Sequence, residues 1–251
     1  AMPPGEYQAL LAEVAESNLL QDPVYGAAHA WFYNMATHHG RIRVDGHVAG
    51  IFQWFEKRVL GGLFHALMLD RGPLWLPGHG QPAQQEVFFR ALDKRFPRRP
   101  GRRRRVIPEL AAERLDLVKC SLRPTTHGGY ATHVVDLSPR PETLRARLSG
   151  KWRSALNKAE QLLAAGELAT DWTASPVQIR DLLRWHQLDR EEKGYQGTHP
   201  VLLKRLLMDY AKAQCLLLGV ASAQGAACSA VALLRHGSGA TYQLAWNGKA
   251  A

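Results

Sequence analysis

The sequence predicts an α+β protein in which one unit, helices followed by an antiparallel meander, occurs twice. Residues 42–69 and residues 216–246 each consist of three apolar runs separated by glycine-containing turns. An Asp-Gly pair between alternating apolar runs, such as Asp45-Gly46, is a strong hairpin signal. Each segment also follows a pair of helical segments, and such an order is typical of α+β units. We therefore expect two tandem copies of one fold.

The first half is predicted to open with two helices and to continue into three strands. Turns are expected at Asp45-Gly46 and Gly61-Gly62, because glycine tolerates the positive φ of tight turns. A third helix and one or two strands follow. The predicted elements are helices at 8–16 and 24–37, strands at 41–44, 47–59 and 63–69, a helix at 82–94, and strands at 105–107 and near 117–122.

The second half is predicted to follow a chain break near Pro124–Gly129, which divides the protein into domains at 1–125 and 126–251. Three helices in this half begin with proline, which is favoured at the first helical position. The predicted elements are a strand at 131–137, a helix at 141–165, a strand at 168–172, helices at 176–193 and 200–212, and strands at 215–221, 226–235 and 240–246.

The composition is that of a folded globular protein. With 251 residues, 46% hydrophobic and 22% charged, the chain suffices for one large or two ordinary domains. No apolar run approaches the roughly 20 residues of a membrane span, and no basic segment precedes an apolar one near the start. The three cysteines, Cys120, Cys215 and Cys228, stand singly. We therefore expect a cytoplasmic protein with free thiols.

The net charge of +10 calls for a hypothesis about partners. Much of the excess lies in Lys94–Arg105, KRFPRRPGRRRR, where prolines exclude a continuous helix and predict an exposed connector. A solvated loop is the favoured interpretation, because no aromatic residues alternate with the arginines as a base-stacking groove would require. The alternative is a phosphate-rich partner, either an anionic membrane surface or an RNA such as tRNA bound through Arg102, Arg103, Arg104 and Arg105.

The segment from Val134 to Gly166 is predicted to join a short strand to a helix with two distinct faces. Apolar residues recur at helical spacing on one face, which favours its burial. Taken alone, the other face is interpreted first as a solvated charged face, and the alternative is that it binds an anion. The apolar face comprises Leu144, Leu148, Trp152, Ala155, Ala159 and Leu162, and the basic face comprises Arg147, Lys151, Ser154 and Lys158.

This segment resembles the second domain of the FemAB family, peptidyltransferases that add amino acids to peptidoglycan precursors. The matching residues are Asp136–Ser138 and the helical run Lys151–Glu160, KWRSALNKAE. The pattern is also similar to that of FemAB-related acetyltransferase-like proteins of the GNAT superfamily. Two further segments, Asn18–Gly26 and Arg71–Trp75, resemble the family in order and spacing, so the resemblance covers most of residues 17–251.

The resemblance implies two tandem GNAT-like domains with mixed, largely antiparallel sheets. It also implies that Lys151, Trp152, Arg153 and Lys158 bind the phosphates of a UDP-linked precursor, and that no cofactor is held covalently. The sequence lacks the family's long coiled-coil arm. It ends at Ala251, just after a strand, where relatives continue, so an incomplete second domain is expected.

Two further residues are candidates for substrate binding. Arg71 ends a strand where a cleft between the domains is expected, with a charged surface turn as the alternative. Tyr242 alternates with Leu244 on the last strand, where one set of side chains faces the core and the other lines a groove.

Familiar catalytic signatures are absent from the sequence. It contains no G-x-S-x-G, Walker or H-E-x-x-H motif, and no metal site is predicted. The CoA-binding turn of GNAT enzymes is missing too, since Arg58–Leu63 reads as a hairpin turn. No general base can be identified.

The expected function is acyl or aminoacyl transfer to an amine, with aminoacyl-tRNA or acyl-CoA as the donor. Such a reaction needs positioning and an oxyanion donor more than a strong nucleophile. The alternatives are a CoA-dependent GNAT N-acetyltransferase and a non-catalytic RNA-binding or scaffold protein that uses the arginine run.

Overall fold

The computed structural model describes residues 2–109, 116, 120, 122–123 and 131–248. The chain break predicted at Pro124–Gly129 and most of the strand predicted near 117–122 lie outside these residues. The division into two domains therefore stays a prediction.

The described residues form seven α-helices and nine strands. The first half contains α1 (Pro4–Glu13), α2 (Pro23–Tyr33), β1 (Ala36–Val44), β2 (His47–Val59), β3 (Phe64–Asp70), β4 (Leu74–Trp75), α3 (Pro82–Arg95) and β5 (Arg102–Ile107). The second half contains α4 (Pro141–Arg147), α5 (Gly150–Ala164), β6 (Leu168–Asp171), α6 (Pro176–Lys193), α7 (Pro200–Lys212), β7 (Leu216–Ala223), β8 (Ala226–His236) and β9 (Gly239–Asn247).

The strands form two separate sheets, and both predicted meanders are confirmed. In the first sheet β1, β2 and β3 are antiparallel neighbours, β4 pairs with β2, and β5 lies parallel to β3. The second sheet has the order β6-β7-β8-β9 and is antiparallel throughout. The hairpin turn predicted at Gly61-Gly62 is also confirmed, since both glycines adopt positive φ there.

Several predicted elements are wrong in extent, among them the first helix, which spans Pro4–Glu13 and not 8–16. Asn34 ends α2 in the left-handed conformation, so Ala36 and Thr37, predicted to lie in the helix, belong to β1. Residues 131–137 have no regular secondary structure, and their side chains are exposed. The helix predicted at 141–165 is two helices, because Leu148 and Ser149 adopt extended ψ angles between α4 and α5.

The arginine run is a strand for part of its length and not a connector throughout. Arg102 opens β5, which pairs in parallel with β3 so that Arg102 lies opposite His65. Only the segment between α3 and β5 remains as a connector. The prolines do exclude a helix, but the residues after Pro100 alternate between the two faces of a sheet.

One hydrophobic core joins the two halves of the chain. Leu19, in the turn before α2, and Ala28, in α2 itself, belong to the same buried cluster as Leu206 and Leu207 of α7. Asp22 caps α2 by accepting hydrogen bonds from the Val24 and Tyr25 amides, and it also accepts the hydroxyl of Tyr210 at 2.6 Å. The cluster continues into the second sheet through Leu218, Ala232 and Leu234. The packing of α2 against α7 therefore determines how the two sheets are placed.

Candidate functional site

A cavity of about 610 Å³ lies between the two halves of the chain. Its volume falls within the range of small-molecule sites. It is bounded by α2 and the turn before it, by the start of α7, and by β9. The lining residues are Leu19, Leu20, Tyr25, His29, Tyr33, Arg71, Thr132, Gly197, Thr198, His199, Leu202, Leu206, Thr241, Tyr242 and Gln243.

Arg71 and Tyr242, proposed separately from the sequence, both line this cavity. Arg71 follows β3 in the left-handed conformation, with φ of 51°. The side-chain amide of Asn18 donates a hydrogen bond to the Arg71 carbonyl oxygen at 2.8 Å. Its guanidinium donates two hydrogen bonds to the carboxylate of Glu109, one of them 2.6 Å long from Nε to Oε2. Tyr242 is 64% exposed. The structure thus brings a firmly held cation and an exposed phenol together, and their role in substrate binding stays a prediction.

Thr241 joins the cavity to a buried histidine. His236 Nε2 lies 2.8 Å from the Thr241 hydroxyl, and its Nδ1 lies 3.0 Å from the Ser17 hydroxyl. Ser17 donates its hydroxyl hydrogen to the His236 carbonyl oxygen at 2.9 Å, so it can only accept from Nδ1. Nδ1 therefore carries the proton, and Nε2 accepts the hydrogen of Thr241.

His236 is a neutral imidazole at physiological pH. Its side chain is buried at the end of β8. Burial lowers the pKa of His236 to about 4, and the nearby positive charge of Arg71 acts in the same direction. The Thr241 hydroxyl is thereby held with its lone pairs available to a group in the cavity.

A second buried histidine, His29 of α2, lines the cavity. Its ring packs against Tyr33 and Phe55 at centroid distances of 4.6 and 4.5 Å. Its Nδ1 has no hydrogen-bond partner among the described residues. Burial lowers the pKa of His29, so this ring also is neutral. An unpartnered buried nitrogen beside a cavity is a candidate ligand contact.

Sequence reasoning missed the residues His29, Thr241 and His236. They come from α2, β9 and β8, and no spacing in the chain links them. The one available signal was His29 itself, a polar residue between Ala28 and Ala30 on the apolar face of a helix.

The residues predicted on the basic helix lie elsewhere. Lys151, Trp152, Arg153 and Lys158 are all exposed on α5, and none of them lines the cavity. No residue of α5 is buried, and Trp152 is 69% exposed. The expectation that the apolar face of this helix is buried is therefore wrong for the described part of the chain. A binding role for the four residues stays a prediction.

The arginines of β5 contact side chains of their own half. Arg104 Nη1 donates to Asp93 at 2.5 Å, and Arg105 Nη2 donates to Asp70 at 2.7 Å. Arg102 Nε donates to Nδ1 of His65 at 3.0 Å. Arg103 lies on the same face of β5 as Arg105, opposite Arg102 and Arg104, and is exposed. The run is therefore not a free row of charges, and its contact with tRNA stays a prediction.

Two further properties concern the described residues only. They contain no group of three or more His, Cys, Asp or Glu side chains that could hold a metal ion. No helix among them is both long enough and apolar enough to cross a membrane.

No protein-family model and no curated protein sequence matches this chain. The structure, however, is similar to the crystal structure of FemX, with a TM-score of 0.76 and 9% identity over 99% of this chain and 80% of that one. The protein thus has a FemAB-like fold. A conserved Bacteroides thetaiotaomicron VPI-5482 protein of unknown function aligns over 92% of this chain and 73% of its own at 13% identity. Its TM-score of 0.45 is too low to carry an argument.

Proposed function

We propose that the protein transfers an aminoacyl or acyl group to an amine, and that the cavity between the two halves receives the amine substrate. The observation that carries this proposal is the convergence of Arg71, Thr241 and Tyr242 on one cavity in a FemAB-like fold. The likeness to FemX supports a fold of the Fem type, and the chemistry of the cavity supports the reaction.

In this proposal Thr241, held by His236, orients the amine. An ammonium group must lose a proton before its nitrogen can attack a carbonyl carbon, and this first proton goes to water, because His236, with a pKa of about 4, is too weak a base to take it. The Thr241 oxygen accepts a hydrogen bond from an N–H of the neutral amine, while the Thr241 hydroxyl donates its own hydrogen bond to Nε2 of His236. The new N–C bond forms, the C–O or C–S bond of the donor breaks, and the second proton of the amine nitrogen passes to the leaving oxygen or sulfur.

Arg71 is proposed to stabilise negative charge on the reacting group. Its two bonds to Glu109 use part of the five N–H donors that a guanidinium carries, and they hold its orientation. A fixed cation beside a developing oxyanion lowers the barrier without reorganisation. Tyr242, at the exposed side of the cavity, is proposed to bind the substrate through its hydroxyl.

The acceptor is proposed to be a peptidoglycan precursor or another envelope amine, and the donor an aminoacyl-tRNA or an acyl-CoA. The FemAB-like fold favours the aminoacyl-tRNA as the donor.

A transfer assay tests the proposal and separates the donors. The protein is incubated with a UDP-linked muropeptide carrying a free amine and with labelled aminoacyl-tRNA or labelled acetyl-CoA. We expect label in the muropeptide in one arm. Transfer from acetyl-CoA alone would identify a CoA-dependent N-acetyltransferase. No transfer from either donor would contradict the proposal.

Matched variants then test the assigned residues. Tyr242→Phe and Thr241→Val should each lower kcat/KM by about tenfold or more, which corresponds to one lost hydrogen bond in the transition state. Tyr195→Phe is the control, because it removes a tyrosine hydroxyl that lies outside the cavity. Equal losses in all three variants would contradict the assignment.

A further inference from the structure

A small basic pocket lies beside the turn that joins β2 to β3. Its volume is about 240 Å³, which is below the range of drug-sized ligands. Four arginines, Arg58, Arg95, Arg99 and Arg102, line it together with His65. None of the described residues that line it is acidic, and none of them lines the cavity between the two halves.

Backbone contacts hold the walls of this pocket together. Gly101 adopts a positive φ of 75°, and a Cβ there would lie 2.2 Å from the carbonyl oxygen of Leu63. The segment before β5 therefore approaches the turn as closely as only glycine allows. Arg99 Nη2 donates to the Gly62 carbonyl oxygen at 2.8 Å, and the His65 amide donates to Gly101 at 2.8 Å. The pocket is thus built by the fold.

Inside the pocket, Arg102 is held by its neighbours. Its Nε donates to Nδ1 of His65, which is 4% exposed, and its Nη1 donates to the Pro97 carbonyl oxygen at 2.8 Å. Desolvation lowers the pKa of Arg102, and the positive charges of Arg99 and other arginines lower it further. Glu56, which lines the larger cavity next to this pocket, accepts two hydrogen bonds from Arg58 and lies 2.8 Å from Nε2 of His65. One carboxylate beside four guanidiniums leaves excess positive charge in the pocket.

The basic pocket adjoins a larger, mainly apolar cavity between α3 and the first sheet. That cavity measures about 980 Å³ and shares Arg58, Arg95 and Phe96 with the basic pocket. Aromatic rings of Phe52, Trp54, Trp75 and Phe88 line it. A cation cluster at one end of an aromatic cavity matches a ligand with a charged head and an apolar body.

We infer that the basic pocket binds the phosphate group of a phosphorylated small molecule, whose apolar body occupies the adjoining cavity. Guanidiniums form paired hydrogen bonds to phosphate oxygens, and this geometry makes arginine the preferred phosphate ligand. The four arginines converge on one small volume, whereas single-stranded RNA is bound along a groove that follows successive phosphates. A single phosphate group is therefore the favoured occupant over RNA.

Titration with inorganic phosphate and with phenyl phosphate, followed by calorimetry at constant ionic strength, tests this inference. Saturable binding of one phosphate is expected, with phenyl phosphate binding more tightly than inorganic phosphate. No saturable binding of either would overturn the inference. Phenyl phosphate that binds no better than inorganic phosphate would contradict the assignment of the apolar cavity.

Matched arginine variants locate the binding. Arg95→Gln and Arg102→Gln should raise the Kd for phenyl phosphate about tenfold or more, as expected for a lost charged hydrogen bond. Arg103→Gln, on the opposite face of β5, changes the net charge equally and should leave the Kd unchanged. Arg102 also contributes to the fold through its hydrogen bond to His65, so its loss can affect folding as well as binding. Arg95→Gln serves as the second variant, because the contact described for Arg95 is with the Phe96 ring. Equal weakening in all three variants would overturn the inference.

A third titration uses an oligoribonucleotide as a competitor of phenyl phosphate. It should displace phenyl phosphate only weakly, because only its terminal phosphate is expected to enter the pocket. If RNA binds tightly and Arg103→Gln weakens that binding as much as Arg95→Gln does, the inference is overturned. The arginines would then form an RNA-binding face. The transfer reaction is not measured in any arm, so the outcome is independent of the proposed function.

Discussion

At the scale of single residues, burial decides what the histidines can do. His236 and His29 are both enclosed by protein atoms, and burial lowers the pKa of each. Neither ring is therefore charged at neutral pH, and each can accept a hydrogen bond. The hydroxyls of Ser17 and Thr241 determine the tautomer of His236, and this tautomer fixes the orientation of the Thr241 hydroxyl in the proposed reaction.

The lowered pKa of His236 predicts a specific dependence of stability on pH. Since the folded protein disfavours the charged ring, the unfolded chain binds the proton first as the pH falls below the ordinary pKa of 6.5. The contribution of His236 is then fully present above about pH 6.5 and is lost progressively toward pH 4, up to about 3 kcal/mol. Urea unfolding across this range should show that His236→Gln has a flatter pH dependence than the wild type.

The other histidines with lowered pKa values, such as His29 and His65, are present in both proteins and cancel in this comparison. A free-energy difference between wild type and His236→Gln that does not change between pH 7 and pH 4 would show that His236 titrates as in water.

At the scale of elements, the periodic segments were predictable and the junctions were not. The meander strands and helices α6 and α7 follow from apolar spacing, glycine turns and helix-opening prolines. The end of α2 was misplaced because Asn34 terminates the helix in a conformation that apolar spacing does not encode. β5 was missed in part because four arginines have no apolar alternation, although pairing with β3 gives them sheet geometry.

The helix α5 shows the limit of an amphipathic pattern. The apolar spacing correctly predicted a helix, but burial depends on what else packs there, and no described residue of α5 is buried. The sequence likewise identified Arg71 and Tyr242 one at a time. It could not show that they share a cavity, because that depends on how α2 packs against α7.

The exposure of the apolar face of α5 gives a direct prediction. Trp152→Ala should change the free energy of unfolding by only about 0.5 kcal/mol, because the side chain is already mostly exposed. Phe89→Ala removes an aromatic ring that is 1% exposed in the first half, and it should cost about 3–5 kcal/mol. Denaturant unfolding of both variants measures the two values. A loss of similar size for Trp152→Ala would mean that another part of the chain covers α5.

At the scale of the whole molecule, the two halves depend on one shared core. Leu207 of α7 is fully buried in the cluster that includes Leu19 and Ala28 of the first half. Tyr210, one turn further along, reaches the cap of α2 through Asp22. A protein with such an interface is expected to unfold in one transition, whatever the evolutionary division into domains.

Leu207→Ala tests this cooperativity. The substitution should lower the free energy of unfolding by about 2–5 kcal/mol through the cavity it leaves. Hydrogen exchange should then become faster in β2 of the first sheet and in β8 of the second by the same factor. Faster exchange confined to the second sheet would show that the halves unfold separately.

The central claim is that the cavity between the two halves holds the amine substrate. Gly197 lines this cavity, and a Cβ added there would meet no atom within 4 Å. A side chain added at this position therefore begins in open space at the cavity wall, and Gly197 has no positive φ that a substitution would strain. Gly5, in α1 and outside the cavity, has an equally open surrounding and provides the matched control.

The decisive measurement is kcat/KM for transfer by Gly197→Trp and Gly5→Trp, with thermal melts as a check on folding. We predict that Gly197→Trp loses about 100-fold or more, since displacement of a substrate by about 1 Å already costs that much, while its Tm and the activity of Gly5→Trp stay unchanged. A folded Gly197→Trp protein with the activity of the wild type would contradict the account.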